Sequence, residues 1–169
     1  MRTYHGLTLP AALALLLSQG ATAGLLTVDF EGDGLGHKTN GFSAVGVDGV
    51  SFSDTLGNDL RVGRWAECNY TNCLAVFADD ESALRIDLDF IASGISLDFG
   101  NDQAFGSRPV ADAELMLYRD GAYVGTSTVA VNGNDRMDQT ISFSGAFFDQ
   151  ALFRYTDVVG FAATLIEVV

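Results

Sequence analysis

Apolar and polar residues alternate along most of this chain, which is the signature of half-buried β-strands rather than helices. In "ALRIDLDF", Leu84, Ile86, Leu88 and Phe90 point one way, and Arg85, Asp87 and Asp89 point the other. "GISLDFG" sets Ile95, Leu97 and Phe99 against Ser96 and Asp98, and "TISFSG" sets Ile141 and Phe143 against Thr140, Ser142 and Ser144. Leu26, Val28 and Phe30 alternate with Thr27, Asp29 and Glu31, and Val50 and Phe52 form a shorter run with Ser51 and Ser53 facing away. In "AELMLYRDGAYVGTSTVAV", Asp120-Gly121 between two β-prone runs predicts a tight hairpin turn, because glycine tolerates the positive φ such turns need. "FAATLIEVV" is apolar on both faces apart from Thr164 and Glu167, which predicts a central strand. The sum is an all-β antiparallel sandwich of jelly-roll type with about nine to eleven strands.

Nothing divides the chain after its first residues. Glycines are spread along it, the only prolines are Pro10 and Pro109, and no repeat or linker interrupts it. The start is different in kind. "MRTYHGLTLPAALALLLSQGATAG" has a basic Arg2, an apolar run and a small-x-small Ala21-Thr22-Ala23, the layout of a secretory signal. The run is shorter than the about 20 apolar residues that span a bilayer. We therefore expect residues 1–23 to be a signal peptide, cleaved after Ala23, and residues 24–169 to be one exported β-sandwich domain without a transmembrane helix.

Export decides the chemistry of Cys68 and Cys73, the only cysteines. Thiols oxidise outside the cytosol. A zinc site needs about four Cys/His ligands, and His37 is the only histidine beyond the signal. A redox C-x-x-C has two intervening residues, where "CNYTNC" has four. A disulfide staple is expected, with Cα atoms about 5 Å apart if the two residues oppose each other in a hairpin. Closing so short a loop contributes roughly 2 kcal/mol.

The chain carries 22 Asp+Glu, 17 of them Asp, against nine Lys+Arg, for a net charge of −13. Such a surface repels nucleic acid and anionic membranes, which are bound by clustered Lys and Arg. Divalent cations, neutral glycans and cationic partners are compatible with it, as is plain solubility.

The ordered segments "LLTVDFEG", "GVDGVSFS", "IDLDF", "SGISLDFG", "LMLYRDGAYVG", "TISFSG" and "FDQALFRYTD", following a signal peptide, resemble the exported β-sandwich ectodomains of PEP-CTERM proteins over essentially the whole mature chain. In that family a Val-Pro-Glu-Pro motif, a membrane helix and an arginine cluster follow the domain, and this sequence ends at Val169 before any of them. The expectation is a freely secreted relative or a truncated one. The resemblance implies a Gram-negative envelope or extracellular polysaccharide matrix. It implies no catalytic residues; similar sandwiches include carbohydrate-binding modules, often with a structural calcium.

Two constellations could carry chemistry. In "DFEGDG", Asp29, Glu31 and Asp33 before Gly34 match the opening of a calcium loop, since a hard cation collects about six to eight oxygens. The EF-hand pattern fails further on, at Asn40. A calcium site of another kind would add an acid such as Glu167; the alternative is a solvated strand face. "NGNDRMD" (132–138), "GNDQ" (100–103) and the "DDE" run Asp79–Glu81 read as ordinary turn chemistry. The second constellation is aromatic. Sugars stack C–H faces on Trp and Tyr while nearby polar groups bond their hydroxyls. Trp65 beside Arg64 precedes the stapled loop, which carries Tyr70 between Asn69 and Asn72. Here too a bland alternative stands, a buried Trp65 and a merely well-anchored turn. "NYT" at residues 69–71 is a glycosylation sequon, and a coincidence in a bacterial host.

Motifs for serine hydrolases, zinc proteases and nucleotide binding are absent from the sequence. A catalytic triad would depend on His37 alone. Three functions follow: a non-catalytic binding module for extracellular polysaccharide or envelope components, with calcium as a structural ion; a matrix subunit self-associating through sheet edges; and, last, a glycan-active hydrolase or lyase.

Overall fold

The long alternating runs pair into one extended ribbon that folds back over itself. A computed structural model describes residues 24–58, 60–66, 68–76, 82–100, 112–132, 134 and 136–156, with Phe77 and residues 165–168 described in backbone only. The signal segment, the Asp79–Glu81 run, residues 101–103 of "GNDQ", the side chain of Glu167 and residues 161–164 of the last apolar stretch lie outside the described residues.

Among the described residues there are nine strands and no helix: β1 (Gly36–Lys38), β2 (Val50–Asp54), β3 (Leu60–Gly63), β4 (Cys73–Phe77), β5 (Leu84–Gly100), β6 (Asp112–Arg119), β7 (Ala122–Ala130), β8 (Gln139–Tyr155) and β9 (Leu165–Val168). All pairings are antiparallel. Five strands form one layer in the order β2-β5-β8-β6-β7, and three form the other in the order β1-β3-β4. β9 lies between β4 and β5 and joins the layers, so the last apolar stretch supplies a central strand.

"ALRIDLDF" and "GISLDFG" are not two strands but the halves of β5, 17 residues long, laddered against the equally long β8. The ladder is interrupted between Asp87, Ala92 and Gly94. Its consequence is read from the core. Phe153 pairs with Leu84, and Phe99 lies fifteen positions further along β5, about 50 Å away if the strand were straight. Yet the Phe99 and Phe153 rings are 5.4 Å apart. The ribbon therefore doubles over at its irregular middle, as strands do when they turn a corner from one layer into the other. Between the layers lie Leu60, Val62, Leu74, Val76, Leu115 and Leu117 with the aromatic cluster Phe99, Phe153 and Tyr155. The Tyr155 hydroxyl donates to the Gly100 carbonyl at 2.5 Å, a second tie across the fold.

The run Leu26–Phe30 is not a strand. Among the described residues it has no ladder partner, Leu25 and Leu26 are exposed, and Phe30 turns into the core with φ 55° against Phe42 and Phe52. The Asp120-Gly121 hairpin is present with φ 50° and 78°. One residue, Val124, is extra on its returning strand, because Leu117 pairs with Gly125 and Tyr118 with Tyr123.

Candidate functional site

The stapled loop runs from Arg64 to Asn72 and joins β3 to β4. Cys73 is the first residue of β4 and faces Gly63 across the ladder, but Cys68 sits in the turn itself. The disulfide forms as expected, with its Cα atoms 6.5 Å apart rather than about 5 Å, because it ties a loop to a strand instead of bridging two strands. Backbone bonds from Asn69 N–H to Ala66 O, Tyr70 N–H to Trp65 O and Thr71 N–H to Cys68 O wind the loop tightly. Asn69 and Tyr70 both take left-handed conformations, φ 53° and 60°. Asparagine tolerates this region; a bulky tyrosine there is strained. Tyr70 is nevertheless 72 % exposed at the tip.

Asn72, expected to face a ligand, is instead turned inward and almost fully buried. Its amide N–H₂ donates to the carbonyls of Phe30 at 2.9 Å and Asp33 at 3.2 Å, and its Oδ1 accepts from Arg64 Nε at 2.6 Å. Its backbone N–H donates to Glu31 Oε1 at 2.8 Å. Asn72 thus fastens the stapled loop to the acidic N-terminal turn. Arg64, half exposed, also lies 3.9 Å from Glu31 Oε2. Trp65 is half-buried and lies over Gly63: a β-carbon there would come 2.4 Å from the indole. On the strand where Leu60 and Val62 point inward, Gly63 points outward, so Trp65 covers the outside of the small sheet.

The candidate calcium acids do not converge. Asp29 Oδ1 accepts the Glu31 N–H, Glu31 braces Asn72 and Arg64, and buried Asp33 accepts the Val45 N–H. Among the described residues no three His, Cys, Asp or Glu form a group able to hold a metal ion. The strand bearing Glu167 runs beside Ala75 and Gly100.

The loop 132–138 approaches the same end. The Met137 sulfur lies 3.0 Å from Cys68 Sγ. Asn132 and Asn134 side-chain amides both donate to the Asp138 carboxylate at 2.8 Å, and these bonds, with Arg136 adding attraction, hold its pKa below the ordinary carboxylate value despite the opposing desolvation. His37 bonds the Asn58 carbonyl through Nε2.

A second surface escaped the sequence reading. On the outer face of the five-stranded layer the ladders line up Ser51, Asp87, Gln150, Tyr118 and Tyr123 across five strands. Asp87 takes bonds from Arg85 Nε and Gln150 Nε2, and the two tyrosine rings meet edge-on at 5.9 Å. The two-residue Asp120-Gly121 turn pairs Tyr118 directly with Tyr123 and so puts them on one face; the extra residue Val124 lies beyond Tyr123 and turns over only Gly125 and the residues after it.

No protein-family model, curated protein or solved structure matches this chain. The class is therefore defined by the fold itself: an all-β, two-layered antiparallel sandwich with a disulfide-stapled loop at one end.

Proposed function

We propose that this chain is an exported, non-catalytic sandwich module of jelly-roll type, akin to PEP-CTERM ectodomains, that binds a neutral glycan of a Gram-negative envelope or matrix through its stapled loop. The doubled-over β5–β8 ribbon supports the jelly-roll reading. The functional reading is carried by Tyr70, exposed while its backbone is held in a region that disfavours it. Such strain costs about 1–2 kcal/mol per residue, and a glycine in its place would avoid it. An aromatic kept there against local stability, on a loop braced by a disulfide and by Asn72, is preordered for contact. The strong net negative charge favours uncharged sugars over acidic ones.

The experiment is a paired one. Tyr70→Gly is expected to leave stability between unchanged and about 1 kcal/mol higher, while abolishing retention on the polysaccharide that wild-type protein selects from a neutral glycan array. Retention undiminished in the variant would remove the loop from the function; Tyr123→Ala would then test the outer sheet face.

A structural calcium at the N-terminal turn would have a demanding requirement. To use Asp29, Glu31 and Asp33 together, the ion would displace the bonds these acids make to Arg64, Asn72 and Val45. We expect the acids to act as braces, so the melting temperature in calcium should match that in chelator. A clear rise with calcium, as binding to the folded state produces, would make the acids ligands instead.

A further inference from the structure

We propose that the free edge of β7 pairs with β7 of a second copy of this chain, across a two-fold axis near Ser127. This is independent of the glycan reading. A sheet edge left open is a template for another strand, and proteins usually blunt it with charge, proline, brevity or a covering loop. The strands that end the two layers elsewhere are blunted. β2 is covered by the bridge between Phe42 and Phe52, with Gly41 N–H on the Phe52 carbonyl and Asn40 Oδ1 on the Asp54 N–H. β1 is three residues long and carries His37 and Lys38.

β7 has none of these protections along most of its length. Its nine residues, "AYVGTSTVA", include no charge and no proline, and among the described residues its only ladder partner is β6. An antiparallel ladder turns alternate N–H and C=O groups away from the partner. Among the described residues, the Ala130 carbonyl is the one backbone group of β7 taken by a bond outside the ladder, from Gln139 Nε2. The bulge at Val124 bends the strand near its start, which leaves Gly125–Ala130 as the flat segment. Its inner side is shielded, since a β-carbon on Gly125 would come 2.6 Å from the Phe143 ring. Its outer side carries Thr126 and Thr128, both exposed.

The segment is self-complementary. Antiparallel pairing centred on Ser127 sets Thr126 against Thr128 of the second copy, twice by symmetry, and Gly125 against Val129. Thr–Thr cross-strand pairs are favourable and like charges directly opposite are not. On a chain of net charge −13, this charge-free strip is where two copies can meet without opposing carboxylates. The two-fold arrangement uses both edges up, so it closes as a dimer rather than growing into a fibre. A contact this narrow is weak, and the repulsion between the two acidic bodies makes it stronger in salt.

Sedimentation equilibrium of the secreted protein over a range of concentrations tests this. A monomer–dimer equilibrium is expected, shifting toward dimer as NaCl rises. Thr128→Lys, which sets two lysines close to the axis, should weaken it roughly tenfold or more with the melting temperature unchanged, and Ser51→Lys on covered β2 should leave it intact. Hydrogen exchange on the wild-type protein is the check that needs no variant: amides of Gly125–Ala130 should gain protection with concentration. A protein monomeric at every concentration and salt level, a dimer indifferent to Thr128→Lys, or β7 amides whose exchange does not respond to concentration would each overturn the proposal.

Discussion

Asn72→Asp is expected to lower stability at pH 7 by about 3–5 kcal/mol, the range for a buried charge left facing the wrong partners. The change is isosteric and touches one atom. In the wild type, the side-chain N–H₂ of Asn72 points at the carbonyls of Phe30 and Asp33, with that of Glu31 at 3.5 Å. An aspartate would aim an oxygen at the same carbonyls. Arg64 could still serve the other oxygen, at the position Oδ1 now holds. Repulsion and burial both disfavour the ionised form, so the introduced carboxyl has a raised pKa in the folded state. The sign follows. Below the unfolded value of about 3.9 the group is protonated in both states and can donate to a carbonyl, so this penalty is absent. It grows as pH rises from there to the folded pKa and is constant above. Urea unfolding at pH 7 and near pH 3.5 should therefore show the deficit shrinking in acid, whereas Asn72→Ala, which leaves carbonyls unpaired without a charge, should cost about 1–3 kcal/mol at both. A pH-independent deficit in Asn72→Asp would mean that the side chain is not directed at those carbonyls.

That residue also marks where sequence reading stops. The disulfide followed from compartment and counting, the hairpin from Asp120-Gly121, and the strands from alternation, since each is a local property. Asn72 lies between two cysteines in a polar loop, and nothing local distinguishes a side chain that faces solvent from one that closes a contact with Phe30, some forty residues earlier. Leu26–Phe30 alternates as a strand does, yet alternation states only which faces differ in polarity; a ladder also needs a neighbour, and none is provided among the described residues. The acids of "DFEGDG" have the spacing of metal ligands, and their engagement with Arg64, Asn72 and Val45 is set by loops distant in sequence. The outer row ending in Tyr118 and Tyr123 crosses five strands whose order no local pattern states, and the single extra residue Val124 turns every later side chain of its own strand to the opposite face.

The doubling of the β5–β8 ribbon was equally hidden, and it makes the second large prediction. Phe153→Ala is expected to cost about 3–5 kcal/mol, much of the about 5–15 kcal/mol by which a domain is stable. Its ring is fully buried, laddered on one side to Leu84 and on the other to Leu115, and packed at a tilt against Phe99 and edge-on against Tyr155. Removing it leaves a cavity between the two halves of the ribbon, where the surrounding ladders resist collapse. Phe147 is the internal control. It belongs to the same strand, six positions earlier, but stands 67 % exposed close to the irregular stretch where the ladder is broken. Phe147→Ala should change stability by no more than about 0.5 kcal/mol. Hydrophobicity and strand propensity are identical at the two sites, so only the folding-over of the ribbon separates them. If thermal or urea denaturation found the two substitutions equally costly, the packing of Phe153 against Phe99 across the doubled ribbon would add nothing to stability, and the layered arrangement would have to be redrawn.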